Sequence, residues 1–199
     1  MKIIRHRLNT MAELKATPAC YGVEVDIRSR GDELIIHHDP FASGEPFEEW
    51  LGAYRHGTLI LNVKEEGLEG RLLELLESRG MEDYFLLDQS FPFLLKWAPA
   101  LKGRCAVRVS EFESVETALA LAGKARWVWV DCFSTFPLSG ADACRLKDAG
   151  FRLCLVSPEL QGRDPDTEVP ELVRLLGRRG IEADAVCTKR PDLWERVAQ

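Results

Sequence analysis

The sequence predicts an α/β fold, and a compact (β/α)8 TIM barrel is the architecture that it favours. Three observations predict it. Short apolar runs alternate with helix-period segments along the chain, about eight of each kind. The runs are rich in Val, Ile, Leu and aromatic residues, as strands buried on both faces should be. The length of 199 residues and a hydrophobic fraction of 46% are ordinary for one globular domain, predicted over residues 1–199.

The strand-like runs are short and are separated by helix-like segments. They lie at residues 2–7, 22–28, 58–64, 84–88, 105–110, 127–131, 151–157 and 185–188. A further short strand at 33–38 would extend the second unit as a hairpin around Arg30-Gly31-Asp32.

The clearest helix spans residues 67–79, where leucines recur at helical spacing before the stop signal Gly80. Ser114 and Ser139 are plausible N-caps, and Pro170 suits the first turn of a helix. The other helices are predicted at 11–16, 47–54, 90–98, 114–122, 139–149, 169–180 and 191–197.

The chain is shorter than the roughly 250 residues typical of a (β/α)8 barrel. Tight loops or an incomplete barrel would explain the difference. A doubly wound open sheet is the main structural alternative. No glycine-rich phosphate loop follows the first strand, which counts against a nucleotide-binding version of that fold.

Composition excludes several kinds of partner. The net charge of -6 and the lack of a basic run argue against nucleic acid. No apolar run is long enough to span a bilayer, and residues 1–6 lack the apolar stretch of an export signal. The six cysteines are scattered, without zinc spacing. We expect a cytoplasmic protein with reduced, mostly buried thiols, and the sequence leaves its oligomeric state open.

Two carboxylates stand where a buried strand would carry apolar residues. Glu24 and Asp26 share one face of the second strand, because side chains alternate between faces. Like charges a few Å apart repel unless a cation lies between them. A divalent metal ion is the economical explanation, because hard cations take carboxylate oxygens. A salt bridge from Lys64, with no metal involved, is the alternative.

Polar residues recur late in successive strands, the end at which barrel enzymes place their active sites. Burial of so many polar groups is costly unless they pair with one another, a metal or a ligand. Ordinary roles stay open, since His38 could cap a turn and Arg108 could pair with Asp131 as internal structure. The residues are His6, His38, Asn62, Lys64, Asp88, Arg108 and Asp131.

Five segments carry a resemblance to a known family. They are His6-Arg7 with Asn9-Thr10 closely following, Val23-Glu24-Val25-Asp26, His38-Asp39-Pro40, Leu61-Asn62-Val63-Lys64 and residues 184–192. In this order and spacing they resemble the glycerophosphodiester phosphodiesterases, TIM barrels whose superfamily also includes sphingomyelinase D-type phospholipases. The middle of the chain matches only in its rhythm of strands and helices.

The resemblance implies a metal-dependent hydrolysis of a glycerophosphodiester-like small molecule. Two histidines would serve as the general acid and base, and a lysine and Mg²⁺ or Ca²⁺ would neutralise charge on the phosphoryl oxygens. The residues implied are, for catalysis, His6, His38 and Lys64; for the metal, Glu24, Asp26 and Asn62; and for the substrate, Arg7 and Arg108.

The chain departs from the family at three places. Asn62 stands where the family usually has a third acidic ligand, and an amide oxygen brings no charge, so metal affinity should fall. Leu8 replaces the glycine that commonly follows His-Arg. Only residues 41–46 separate the His-Asp-Pro segment from the next helix, where the family has a sizeable insertion.

Two other functions stay open. A catalytically decayed barrel that binds a phosphorylated ligand would explain Asn62. A barrel enzyme of another class, with Lys64 as a Schiff-base amine, is the third hypothesis. Two carboxylates beside Lys64 would tend to keep that amine protonated, which counts against this third hypothesis.

Overall fold

The structure, a computed structural model, describes residues 1–197. Residues 198 and 199, the last two of the predicted domain, lie outside the described residues. The chain divides into a first unit, His6–Cys105, and a second unit that combines Met1–Arg5 with Ala106–Gln199. A single domain over residues 1–199 stays a prediction.

Within residues 1–197 strands and helices alternate along the chain. The strands are β1 (Lys2–Arg5), β2 (Gly22–Arg30), β3 (Glu33–Ile36), β4 (Glu45–Pro46), β5 (Leu59–Val63), β6 (Tyr84–Leu87), β7 (Ala106–Val109), β8 (Trp127–Val130), β9 (Arg152–Val156) and β10 (Ala185–Thr188). The helices are α1 (Met11–Ala16), α2 (Phe47–Ala53), α3 (Glu69–Ser78), α4 (Phe91–Leu101), α5 (Val115–Leu119), α6 (Gly140–Asp148), α7 (Pro165–Arg179) and α8 (Pro191–Val197), with a 3-10 turn at Pro158–Gln161.

Every predicted strand and helix is present, and one helix start is wrong. α7 begins at Pro165, so Pro170 lies inside the helix and not in its first turn. The first four residues of α7 include no large apolar side chain, so the helical period becomes visible in the sequence only at Val169. The start is instead marked by Asp164 at the N-cap position and Pro165 at the first helical position.

The first unit is built on three parallel strands, β2, β5 and β6. β3 pairs antiparallel with β2, which confirms the predicted hairpin. The register sets Asp26 opposite Asn62 on β5. Because parallel strands place their carboxyl ends at one edge of a sheet, residues late in β2, β5 and β6 lie at the same edge.

Apolar side chains of the helices cover the strands of the first unit. Phe47 and Trp50 of α2 are fully buried, and so are Leu72 and Leu76 of α3. These side chains recur at helical spacing, so each helix presents one apolar face. Burial of each large side chain stabilises the unit by about 2 kcal/mol relative to exposure.

The second unit is a parallel sheet in the order β7-β8-β9-β10-β1. Ser114 and Ser139 cap α5 and α6 by accepting backbone N–H groups of those helices, as predicted. α8 is fastened by Trp194, which is fully buried and donates its indole N–H to Ser157 Oγ at 2.8 Å.

All six cysteines are free thiols, and four of them are buried, which agrees with the prediction of mostly buried thiols. No helix in the described part of the chain combines the length and apolar character needed to cross a membrane.

A single carboxylate ties together two loops of the second unit. Glu111, after β7, accepts hydrogen bonds from the backbone N–H groups of Phe133, Ser134 and Thr135, after β8. Desolvation opposes ionisation of this carboxyl, but the N–H groups outweigh it and lower its pKa to about 2. Three successive N–H groups around one anion form the kind of concavity known as a nest.

We expect Glu111→Gln to lower the melting temperature at pH 6 by about 2 °C, because an exposed carboxyl contributes modestly. A carboxyl whose folded pKa is lowered stabilises the protein above its unfolded pKa and loses that contribution as pH falls. The difference between wild type and variant should therefore shrink between about pH 4.5 and pH 2. Calorimetric melting across this range measures it, with Glu171→Gln on α7 as the control. A difference that is constant with pH would contradict the assignment.

Candidate active site

Most of the predicted site residues of the first unit lie together where β2 pairs with β5. Asp26 lies at the middle of β2, Asn62 lies opposite it on β5, and Lys64 follows β5 with its N–H bonded to Ile27 O at 3.0 Å. His6 lies close enough to contact Glu24. The structure therefore brings four predicted site residues around the Glu24 and Asp26 pair, namely His6, Arg7, Asn62 and Lys64.

Glu24 is 1% exposed, and hydrogen bonds reach both of its carboxylate oxygens. Asn62 Nδ2 donates to Oε1 at 3.0 Å, and the backbone N–H of Arg7 donates to Oε2 at 2.8 Å. His6 Nε2 lies 3.8 Å from the same Oε2. A protonated His6 therefore has a counterion beside it.

Burial raises the free energy of the ionised form of Glu24. Desolvation is the largest cause that raises its pKa, and repulsion by Asp26 raises it further. The hydrogen bonds from Asn62 and Arg7 and the charge of Lys64 lower the pKa by less, so that it stands at about 7. A further cation at this place would restore the ionised form near neutral pH.

Asp26 is fully buried, and two cations and an amide surround it. Lys64 Nζ lies 3.2 Å from Oδ1, and Arg7 Nε lies 3.2 Å from Oδ2. Asn9 Nδ2 donates to Oδ2 at 2.8 Å, while Asn9 Oδ1 accepts the backbone N–H of Asp26 at 3.1 Å. The alternative of a salt bridge from Lys64 is thus present in the structure.

Two of these neighbours were not assigned to the site by sequence reasoning. Asn9 entered only as part of a motif, and its position two residues after Arg7 was the one available signal. Asp88, which was noted only as a late strand residue, lies with its carboxylate 3.6 Å from Lys64 Nζ. Its φ of 62° is in the left-handed region, which is uncommon for a residue with a side chain.

His38 lies beyond the end of β3 and is 41% exposed. Its Nδ1 lies 2.8 Å from Asp39 Oδ1, and this hydrogen bond is the main cause that lowers the pKa of Asp39. An ionised carboxylate only accepts, so Nδ1 carries the hydrogen and Nε2 is the acceptor of the neutral ring. Asp39 was missed as a site residue, and its adjacency to His38 was the signal.

Arg108 lies in the second unit, where it forms an ion pair with the buried Asp131 and lies 3.8 Å from Glu113 Oε1. Gln161 also donates to Asp131, at 2.6 Å. This is the ordinary internal pairing that the sequence left open. A role for Arg108 in binding substrate stays a prediction.

The donor set around Glu24 fits a hard divalent cation that is held weakly. Two carboxylates supply charge, and Asn62 Oδ1 is buried and accepts no hydrogen bond from residues 1–197. Those residues contain no group of three or more His, Cys, Asp or Glu that could hold an ion. Lys64 and Arg7 already lie against one of the two carboxylates.

Solved structures that share this fold cover nearly the whole chain. One is from Galdieria sulphuraria and is named as a candidate glycerophosphodiester phosphodiesterase; it is 18% identical, with a TM-score of 0.73, over 100% of this chain and 98% of that chain. The glycerophosphodiester phosphodiesterase from Thermotoga maritima is 19% identical, with a TM-score of 0.65, over 98% and 97%. A glycerophosphoryl diester phosphodiesterase from Parabacteroides distasonis is 15% identical, with a TM-score of 0.67, over 98% and 85%.

No protein-family model matches the chain, and no curated protein matches its sequence. The structural likeness nevertheless confirms the predicted (β/α)8 barrel class over the doubly wound alternative. It also confirms the resemblance read from the motifs, at the level of the fold. Sequence identities this low support a shared fold and no closer relationship.

We expect Glu24→Gln to stabilise chelator-treated protein at pH 8 by roughly 2 kcal/mol. A carboxyl whose folded pKa is raised destabilises the protein increasingly as pH rises from its ordinary 4.5 to about 7, and the amide removes this cost. Urea unfolding at pH 4 and pH 8 measures the change, which should vanish at the lower pH. Glu74→Gln, an exposed position on α3, is the control. Equal stabilities at pH 8 would contradict the raised pKa.

Proposed function

We propose that the protein hydrolyses a phosphodiester, namely a glycerophosphodiester-like small molecule, with His6 and His38 as the general acid and base. One observation carries the proposal: a buried carboxylate pair, a lysine and a histidine meet where the parallel strands β2 and β5 pair. The likeness to solved phosphodiesterases supports it through the fold. The sequence motifs support it residue by residue.

Lys64 and Arg7 would bind the phosphate. Each already neutralises Asp26, at 3.2 Å, so both cationic groups are held in place before substrate arrives. A positioned cation stabilises the charge that builds on phosphoryl oxygens without reorganising during the reaction. With its ammonium group between Asp26 and Asp88, Lys64 is better suited to this role than to a Schiff base, which needs a neutral amine.

The histidines would move the protons. Asp39 holds His38 by Nδ1, which leaves Nε2 as the atom that can take a proton from an attacking hydroxyl or return it. His6 has Glu24 beside it as the counterion for its protonated form. Two imidazoles in different environments can divide the acid and base roles.

Mg²⁺ or Ca²⁺ is the cofactor that the site would hold, through Glu24, Asp26 and Asn62. When bound, the ion would supply charge neutralisation at the phosphoryl oxygens. Glu24 and Asp26 would attract the ion with two negative charges, and Arg7 and Lys64 would compete with the ion for Asp26.

A location in the cytoplasm stays a prediction.

A catalytically decayed barrel that binds a phosphorylated ligand is the second candidate. The observation that favours it is the amide of Asn62, which turns its N–H group toward Glu24 at 3.0 Å. In that arrangement protein groups donate to both carboxylate oxygens of Glu24 without an ion. A protein that binds inorganic phosphate but no divalent metal ion would match this candidate and not the enzyme.

We expect purified protein with Mg²⁺, Ca²⁺ or Mn²⁺ to cleave glycerophosphodiesters, and His38→Gln to lower kcat by about 100- to 1000-fold. The glutamine removes the proton acceptor but keeps the size and polarity of the side chain. His56→Gln is the matched control, because His56 bonds the backbone oxygen of Thr17 at 2.9 Å and its replacement should leave kcat close to that of the wild type. Absence of cleavage across a broad panel would remove the enzymatic proposal.

We expect Asn62→Asp to tighten binding of Ca²⁺ or Mg²⁺ by about tenfold at pH 8, because a third carboxylate adds the missing charge. Titration calorimetry measures the dissociation constant. Glu24→Ala, which removes a proposed ligand, should abolish binding. Equal affinity in wild type, Asn62→Asp and Glu24→Ala would show that the ion binds elsewhere or not at all.

A further inference from the structure

A cavity of about 140 Å³ opens beside Lys64 in the first unit. It is strongly acidic, because four carboxylates and one ammonium give its lining a formal charge of -3. Polar side chains supply most of the wall. They are Lys64, Glu65, Glu66, Glu69, Asp88 and Gln89, with Ser90 beside them.

Two residues of this lining form a fixed pair. Glu69 is fully buried, and its carboxylate accepts hydrogen bonds from Gly67 N at 3.1 Å and from Gln89 Nε2 at 3.0 Å. An ionised carboxylate has no hydrogen to donate, so the amide nitrogen of Gln89 must face it. The orientation of the Gln89 amide is therefore determined, and its oxygen points away from Glu69.

Two residues of the lining have a buried polar atom that no protein group of the described chain bonds. Across residues 1–197, Gln89 Oε1 and Ser90 Oγ have no hydrogen-bond partner although both atoms are buried. Buried polar groups are normally satisfied, so each such atom calls for a partner that is absent. Asp88 adds a carboxylate to the lining, 3.6 Å from Lys64 Nζ. A ligand for this wall should donate hydrogen bonds and carry positive charge.

Two kinds of cation suit the lining less well. A metal ion is the first, because Glu69 already accepts hydrogen bonds from Gly67 and Gln89, and Asp88 lies 3.6 Å from Lys64 Nζ. A quaternary ammonium does not suit it either, since none of the lining residues is aromatic and such groups bind to ring faces. A primary ammonium has three N–H donors and suits acceptors at fixed positions.

We propose that this cavity binds the alcohol portion of the substrate and selects a phosphodiester whose alcohol carries a primary ammonium group. The proposal rests on the proposed function, because Lys64, the phosphate-binding residue, lies at the boundary between the carboxylate pair and the cavity. Its Nζ is 3.2 Å from Asp26 and 3.6 Å from Asp88. The volume corresponds to about five water molecules, which accommodates an aminoethyl group.

The first test compares three diesters that differ only in the alcohol: glycerophosphoethanolamine, glycerophosphoglycerol and glycerophosphocholine. We expect kcat/KM for the ethanolamine diester to exceed that for the other two by about tenfold, the effect of one charge-assisted hydrogen bond. Equal kcat/KM values for the three diesters would overturn the proposal.

Variants assign the preference to the cavity. Glu69→Gln should lower the preference for the ethanolamine diester over glycerophosphoglycerol by about fivefold, because it removes charge while keeping size. Glu74→Gln, an exposed glutamate on the same helix α3, is the matched control and should keep the full preference. Gln89→Met removes the unused acceptor and provides a second test if Glu69→Gln does not fold. An unchanged preference in a folded variant would overturn the proposal.

Calorimetry separates this proposal from the proposed function. O-Phosphoethanolamine and glycerol 1-phosphate share the phosphate and differ in the ammonium group, and neither requires turnover. Tighter binding of O-phosphoethanolamine, lost in Glu69→Gln, supports the cavity even if no diester is cleaved and the hydrolase proposal fails. Equal binding of the two monophosphates overturns the cavity assignment whatever the outcome of the cleavage assay.

Discussion

The buried pair of Glu24 and Asp26 is the constraint on which the rest of the first unit depends. Removing two carboxylates from water costs several kcal/mol each unless other groups compensate for their charge. The compensating groups come from separate segments of the chain, with Arg7 before β2 and Lys64 after β5. The register of β2 against β5, which sets Asp26 opposite Asn62, is therefore an electrostatic requirement as well as a matter of packing.

The same pair connects stability to chemistry. Arg7 and Lys64 are held at the site because they neutralise Asp26, and in that position they are also available to a phosphate group. An anion that draws on these cations would weaken their hold on Asp26, and a divalent ion would make up the loss. Substrate and metal would then favour each other's binding, which is the reciprocity expected of linked sites. Asn62 limits the strength of this coupling between substrate and metal, because it offers the metal an oxygen but no negative charge.

The sequence predicted the strands and helices well because apolar periodicity is a local signal. It also predicted that Glu24 and Asp26 share a face, which follows from alternation alone. It could not predict that Asn9 would bond Asp26, since a hydrogen bond between segments 17 residues apart leaves no periodic trace. The Glu111 nest was missed for the same reason, because its donors lie more than 20 residues away. The cavity beside Lys64 could not be predicted either, because its lining depends on the side-chain orientation of Gln89. Glu69 fixes that orientation only in the folded chain.

The segment between β3 and α2 is short, and its Phe41 and His38 are open to solvent. Enzymes that close a lid over the substrate often have turnover limited by its opening, because product cannot leave before the loop moves. Residues 37–46 instead leave the His38 side chain open to solvent, so this segment does not have to move before a product beside it can leave. In the proposed hydrolase the consequence would be kinetic: opening of this segment would not limit turnover, and the viscosity of the solvent would have little influence on kcat.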